Sequence, residues 1–125
     1  EAKIASWLEI LELSQKTQVI NGQITTTKLS TGQRKRLAML ISLLEDRDIL
    51  ILDEFAADQD PIFRRFFYTK LLPLLKKEGK TVLAISHDEK YFDTADRIFL
   101  AQNGLITELK GENIKDLAKN LVEKF

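Results

Sequence analysis

The sequence predicts an α/β protein with parallel strands, and three observations predict it. Ile49-Leu50-Ile51-Leu52 and Thr81-Val82-Leu83-Ala84-Ile85 are short apolar runs of strand length. Residues 62–77 between them carry Phe63, Phe66, Phe67 and Leu71 at helical spacing. A helix inserted between two strands returns the chain to the same end of the sheet, so the strands pair in parallel.

Each element has its own justification. Over residues 2–14, Ile4, Trp7, Leu8 and Leu11 recur at i, i+3, i+4, i+7, the pattern of an amphipathic helix. No clear N-cap precedes it, and the first residue is Glu1, so a chain cut from something longer is expected. Residues 15–28 are mostly polar, with Asn21-Gly22 as a turn signal. Ser30 is a good N-cap for a helix over residues 31–46, whose expected buried face is Leu37, Leu40, Ile41 and Leu44. Residues 49–52 do not alternate, so a strand buried on both faces is expected, ending in Asp53-Glu54. Pro61 suits the first turn of the 62–77 helix, Pro73 should end or kink it, and Gly79 is a natural stop. Residues 81–85 form the second buried strand, followed by Ser86-His87-Asp88. Residues 97–101 and 105–109 flank Asn103-Gly104, a hairpin turn signal. A last helix over residues 113–124 has Ile114, Leu117 and Leu121 as its apolar face.

Composition removes several function classes. A chain of 125 residues is the size of one domain. Lys and Arg number 19 and Asp and Glu number 19, giving a net charge of zero. That balance argues against a basic nucleic-acid module and against an acidic disordered tail. With no cysteine and one histidine, a disulfide scaffold, a thiol nucleophile and a multi-histidine metal site are excluded. Neither apolar run approaches the ~20 residues of a membrane helix.

Three segments carry chemistry. Asp53-Glu54 closes a buried strand at its carboxyl end, the edge where open α/β sheets bind ligands. One acid there suits a hydrated Mg²⁺. Its neighbour, pointing the other way on an extended backbone, suits polarisation of an attacking water. The bland alternative, a strand that simply ends in polar residues, is about as common. Leu29-Ser30-Thr31-Gly32-Gln33 opens a helix, where free N–H groups and the helix dipole favour an anion. By itself this segment is more often an ordinary Ser N-cap. His87 follows the second strand and can reach the same ligand, although a lone histidine is more often structural.

Taken together, in this order and spacing, these segments resemble the ATP-binding cassette (ABC) ATPases. The signature motif of that family, Leu-Ser-Gly-Gly-Gln, differs from residues 29–33 only at Thr31, and Arg34 to Leu37 continues as the family does. Asp53 matches the Walker B aspartate and Glu54 the catalytic glutamate. Ala57-Asp58-Gln59-Asp60 occupies the D-loop, departing from Ser-Ala-Leu-Asp but keeping Asp60, and His87 matches the switch histidine. The resemblance covers residues 29–109. Residues 29–37 and 53–61 and the run Phe63-Arg64-Arg65-Phe66-Phe67-Tyr68 are similar to a bacterial subgroup that exports cyclic peptides and siderophores.

The resemblance implies the C-terminal portion of a P-loop NTPase domain, with parallel core strands and flanking helices. Residues 1–47 would be the end of the helical subdomain with the signature motif. Residues 48–125 would be the Walker B half of the core. It implies ATP and Mg²⁺ as cofactors, with Asp53 on the metal and Glu54 and His87 catalytic. Ser30, Thr31, Gly32 and Gln33 would contact an ATP held by a second nucleotide-binding domain, and Asp60 would couple the two sites. Further implied partners are the transmembrane domains of an exporter, which would hold the chain at the cytoplasmic face of the inner membrane. No nucleic-acid partner is expected.

The Walker A loop, Gly-x-x-x-x-Gly-Lys-Ser/Thr, does not occur in the 125 residues. Gly22 and Lys28 have the right separation, but Thr27 and Leu29 break the motif. Gly79-Lys80-Thr81 has the right ending but precedes a strand. The chain alone is therefore expected to be inactive. Competing readings are a non-transport ABC ATPase, a phosphoacceptor receiver module using Asp53, and an interaction fragment that binds no nucleotide. The receiver lacks its acidic pair, and the signature loop would go unexplained.

Overall fold

A computed structural model describes residues 2–15, 17, 19–24 and 28–110. The helix expected over residues 113–124 lies outside them. Helix α1 (Ala2–Ile10) leads to a short hairpin, β1 (Val19–Ile20) and β2 (Gln23–Ile24), turned by Asn21-Gly22. Helix α2 (Thr31–Leu44) and strand β3 (Ile49–Asp53) follow. After a 3₁₀ turn (Phe55–Asp58), a continuous helical run comprises α3 (Pro61–Phe66), a π-helical turn (Phe67–Leu71) and α4 (Leu72–Lys77). Strand β4 (Thr81–Ile85), a 3₁₀ segment (Glu89–Thr94) and the hairpin β5 (Ile98–Gln102) and β6 (Leu105–Leu109) complete the described chain.

β3 and β4 pair in parallel, with Ile49 opposite Thr81 and Asp53 opposite Ile85. This is the expected strand–helix–strand unit. One face of the pair is covered by the helical run: Leu50 packs in the core with Phe63, Phe67, Leu71 and Leu75. The other face is open. Ile49 and Ile51 are 65% and 66% exposed, and Leu83 and Ile85 are also exposed. The expectation of strands buried on both faces is therefore corrected. An unbroken apolar run hides the period of two, and here helices pack on one side only.

Two helix expectations also shift. In α2 the buried face is Gly32, Arg36, Leu37, Met39, Leu40 and Leu43, while Ile41 is exposed and Leu44 half-buried. The stripe is rotated because Arg36 and Gly32 face inward, for reasons given below. Pro73 neither ends nor breaks the helical run. The preceding turn widens to π geometry, and Pro73 falls in the first turn of α4, where its missing N–H costs little. That widening lets the adjacent Phe67 and Tyr68 both be buried beside Leu71.

Candidate functional site

β3 and β4 end together, and this places Asp53, Glu54 and His87 at one edge. The Glu54 N–H still donates to the Ile85 carbonyl at 3.0 Å, continuing the ladder by one bond. The chain then turns: Glu54 has φ 55°, in the left-handed region. This corrects the expectation of an extended backbone that would simply alternate Asp53 and Glu54. The turn brings Glu54 Oε1 to 3.2 Å from His87 Nε2. The imidazole is otherwise open to solvent, its side chain 81% exposed. The Asp53 carboxylate is exposed and makes no hydrogen bond or ion pair among the described residues.

A second cluster forms at the start of α2. Ser30 Oγ accepts from the Gln33 N–H at 3.2 Å, and Gln33 Oε1 accepts from the Ser30 N–H at 3.0 Å. This capping box satisfies two free N–H groups and fixes where the helix starts. Thr31 is exposed beside it. Gly32 is buried against the segment that matches the D-loop: a Cβ there would lie 2.7 Å from the Asp58 carbonyl oxygen. Gln59, itself buried, donates to the Gly32 carbonyl at 3.0 Å and accepts from Arg36 Nε at 3.0 Å. Arg36 also donates to the Leu11 carbonyl at 3.0 Å and lies 4.4 Å over the Phe63 ring. A buried guanidinium is tolerable here because the Leu11 carbonyl and the Gln59 amide accept from it, the Phe63 ring lies under its face and the Glu12 carboxylate stands 3.7 Å away.

Lys35 joins the two clusters. Its ammonium donates to the Glu54 carbonyl at 3.1 Å and pairs with Asp58. Asp60 acts locally, where its Oδ1 accepts from the Phe63 N–H at 2.9 Å and caps α3 ahead of Pro61. Arg64 ties the D-loop match from below, donating to the carbonyls of Ala56 at 3.1 Å and Gln59 at 3.2 Å. On the other side of His87, the Tyr68 hydroxyl meets Ser86 Oγ at 2.6 Å and Asp88 Oδ2 at 2.7 Å. Burial pushes the Tyr68 phenol well above its ordinary pKa of 10.0; hydrogen bonding from Ser86 partly opposes this, and the Asp88 carboxylate reinforces it.

The structure thus brings together Asp53, Glu54 and His87. Ser30, Thr31, Gly32 and Gln33 stand in a separate cluster linked through Lys35 and the D-loop match. Sequence reasoning missed Lys35, Arg36, Gln59, Arg64 and Tyr68. One signal for Arg36 is its place four residues from both Gly32 and Leu40, on the same face of the helix. The D-loop match names Gln59 but does not mark its bonds to Arg36 and the Gly32 carbonyl, and no local signal marks the bonds of Arg64 to main-chain carbonyls.

The fold is that of an ABC ATPase. A solved structure of the ADP conformation of an ATP-binding cassette of an ABC transporter superposes with a TM-score of 0.66 at 27% identity, covering 98% of this chain and 45% of that one. The ABC transporter family profile matches residues 1–57. The ATP-binding protein SyrD of Pseudomonas syringae pv. syringae is 52% identical over 107 residues, 84% of this chain and 19% of SyrD. The glutathione/L-cysteine transport system ATP-binding/permease protein CydD of Bacillus subtilis is 36% identical over 120 residues, 96% of this chain and 20% of CydD. This chain belongs to the ABC transporter family, in its ATP-binding part. It spans about a fifth of the length of these two relatives.

Proposed function

We propose that this chain is the signature-motif and Walker B portion of a nucleotide-binding domain from an ABC exporter, coupling ATP binding and hydrolysis to transmembrane transport. The observation that carries the reading is the Glu54–His87 contact at 3.2 Å beside the free carboxylate of Asp53. The transported substrate is a peptide or a siderophore; what supports this is the similarity of residues 29–37, residues 53–61 and the run from Phe63 to Tyr68 to the subgroup that exports such molecules. Residues 1–47 form the end of the helical subdomain, and residues 48–125 the Walker B half of the core.

The residues fit a nucleotide with its metal. No cluster of three or more metal-ligating side chains exists among the described residues. The exposed Asp53 carboxylate at the strand edge suits Mg²⁺, which keeps waters and takes one or two carboxylates plus phosphate oxygens. Asp53 would hold it, through water. When bound, Mg·ATP supplies the phosphoanhydride to be cleaved and a cation that neutralises its charge. Glu54 orients or deprotonates the attacking water. His87 steadies the Glu54 carboxylate and presents its imidazole, at the solvent-facing edge, to a terminal phosphate. Ser30, Thr31, Gly32 and Gln33 face an ATP held by the Walker A loop of a second nucleotide-binding domain. Asp60, besides capping α3, lies in the segment that would meet that domain. The attached transmembrane domains place the assembly at the cytoplasmic face of the inner membrane.

The test uses two proteins. Calorimetry of the 125-residue chain with Mg·ATP should show neither binding nor phosphate release. A chimera in which this chain replaces the matching 107 residues of SyrD should hydrolyse ATP. Glu54→Gln in that chimera should stop turnover while ATP still binds, and retained hydrolysis would sink the assignment.

A further inference from the structure

We propose that Tyr68 is a positioning residue for His87: its buried hydroxyl ties Ser86 to Asp88, on either side of the histidine, and so fixes the loop that brings the imidazole to Glu54. The inference rests on the functional reading above.

The hydrogen bonds close into a ring with one assignment of protons. Tyr68 has a single hydroxyl proton, and it goes to Asp88 Oδ2 at 2.7 Å. The Ser86 hydroxyl therefore donates to the Tyr68 oxygen across their 2.6 Å contact. The Asp88 N–H donates to Ser86 Oγ at 3.0 Å and completes the ring. Every member is both held and holding, so a polar network at partial burial is fully satisfied. His87 is the one residue between Ser86 and Asp88, and its side chain points out of the ring toward Glu54.

Tyr68 grips the far side of the loop as well. Its ring stacks on Tyr91 at 4.6 Å with an interplanar angle of 14°, and Tyr91 lies in the 3₁₀ segment that follows His87. Phe67 packs edge-on against it at 4.9 Å. The phenol is rigidly based because the π-helical turn buries it beside Phe67, with Leu71 fully buried in the same turn. π turns recur at functional sites, where an inserted residue re-aims a side chain. Arg64, which holds the D-loop carbonyls, also reaches Asp88 Oδ1 at 3.8 Å. The ring is thus linked to the segment that carries Asp58 and Gln59.

Removing the hydroxyl leaves the fold's apolar contacts in place and frees the loop. A displacement near 1 Å at a reacting group costs up to about 10²-fold in rate. In the SyrD chimera, Tyr68→Phe should lower kcat about tenfold, within that range, with KM for ATP unchanged. The same substitution in a His87→Ala background should lower kcat no further, because Tyr68 acts through His87. An unchanged kcat, or the same factor lost in both backgrounds, overturns the proposal. Should Tyr68→Phe fail to fold, Ser86→Ala removes two of the three bonds of the ring and is read by the same cycle. In the 125-residue chain, Tyr68→Phe should lower the NMR order parameter of the His87 backbone amide, and Tyr91→Phe should not; an unmoved order parameter in Tyr68→Phe also overturns the proposal. Failure of the functional reading shows separately, as hydrolysis that survives Glu54→Gln.

Discussion

Gly32 is closed by Asp58: the position a Cβ would take lies 2.7 Å from the Asp58 carbonyl oxygen and 3.1 Å from Gln59 Oε1. The glycine of the signature match therefore has a packing reason independent of any phosphate. It lets the start of α2 sit directly on the segment that follows β3. The obstacle is main chain, which cannot swing aside as a side-chain tip can. Gly32→Ala should cost about 1–3 kcal/mol, the range for overpacking a tight site. A urea midpoint unchanged from the parent chain would contradict this contact.

Gln59 gives the companion prediction. Its amide joins the Arg36 guanidinium to the Gly32 carbonyl, and all three are buried. Gln59→Leu keeps the volume roughly and removes both bonds. It takes from the Gly32 carbonyl its partner outside the helix and leaves one buried guanidinium donor unpaired, worth about 1–3 kcal/mol when unsatisfied. The expected result is a clear loss of stability by denaturant titration. Gln59→Glu should be milder, since it still accepts from Arg36.

Strand positions and motif order are legible in the sequence; the facing of residues is less so. Ile49 to Leu52 announces a strand because four apolar residues have no helical period. The same lack of period conceals that Leu50 faces the helices while Ile49 and Ile51 face outward. Asp53, Glu54 and His87 are legible as one site because parallel strands end at the same edge. The left-handed φ of Glu54 is not, since a carboxylate carries no signal for that conformation as glycine does. Tyr68 reads as one more aromatic on a helix, and its polar role depends on Ser86 and Asp88, far along the chain. Side-chain bonds to main-chain carbonyls, as with Arg64, leave no pattern in the sequence, because every residue offers a carbonyl.

Two carboxylates contribute to the response to acid. The Lys80 ammonium, hydrogen-bonded at 3.0 Å, holds Asp46 below its ordinary 3.8. Arg97, in a two-bond fork at 2.8 and 3.0 Å, holds Glu108 below its ordinary 4.5. A carboxylate depressed by folding stabilises the native state above its unfolded pKa, and that contribution is lost as pH falls through the folded value. Stability should therefore decline as pH drops below about 4. Lys80→Met should flatten the Asp46 part of that decline, by removing the cause of the shift. An identical acid profile for parent and variant would rule it out.

Alkali reports on the Tyr68 phenol. Burial raises it above 10.0. The folded state keeps a proton that the unfolded state gives up, so stability should fall as pH rises above about 10. The chain has two tyrosines, so Tyr91→Phe leaves Tyr68 as the sole phenol. Its ultraviolet absorbance change on ionisation should come at higher pH than that of free tyrosine. Ionisation at the ordinary value in the folded variant would show that the phenol is not buried as described.

Adjacent residues of β3 test which way the sheet faces. Leu50 is 4% exposed and packs with Phe67 and Leu71, whereas Ile51 is 66% exposed. Leu50→Ala should cost about 2–5 kcal/mol, through lost burial and the cavity left behind. Ile51→Thr keeps the β-branched shape and removes only apolar surface already in contact with solvent, so its cost should stay within about 0.5 kcal/mol. Denaturant midpoints of the two variants decide the matter directly. If Ile51→Thr proved as damaging as Leu50→Ala, the outer face of the β3–β4 pair would have to be covered in the isolated chain, and the one-sided packing described for this sheet would be wrong.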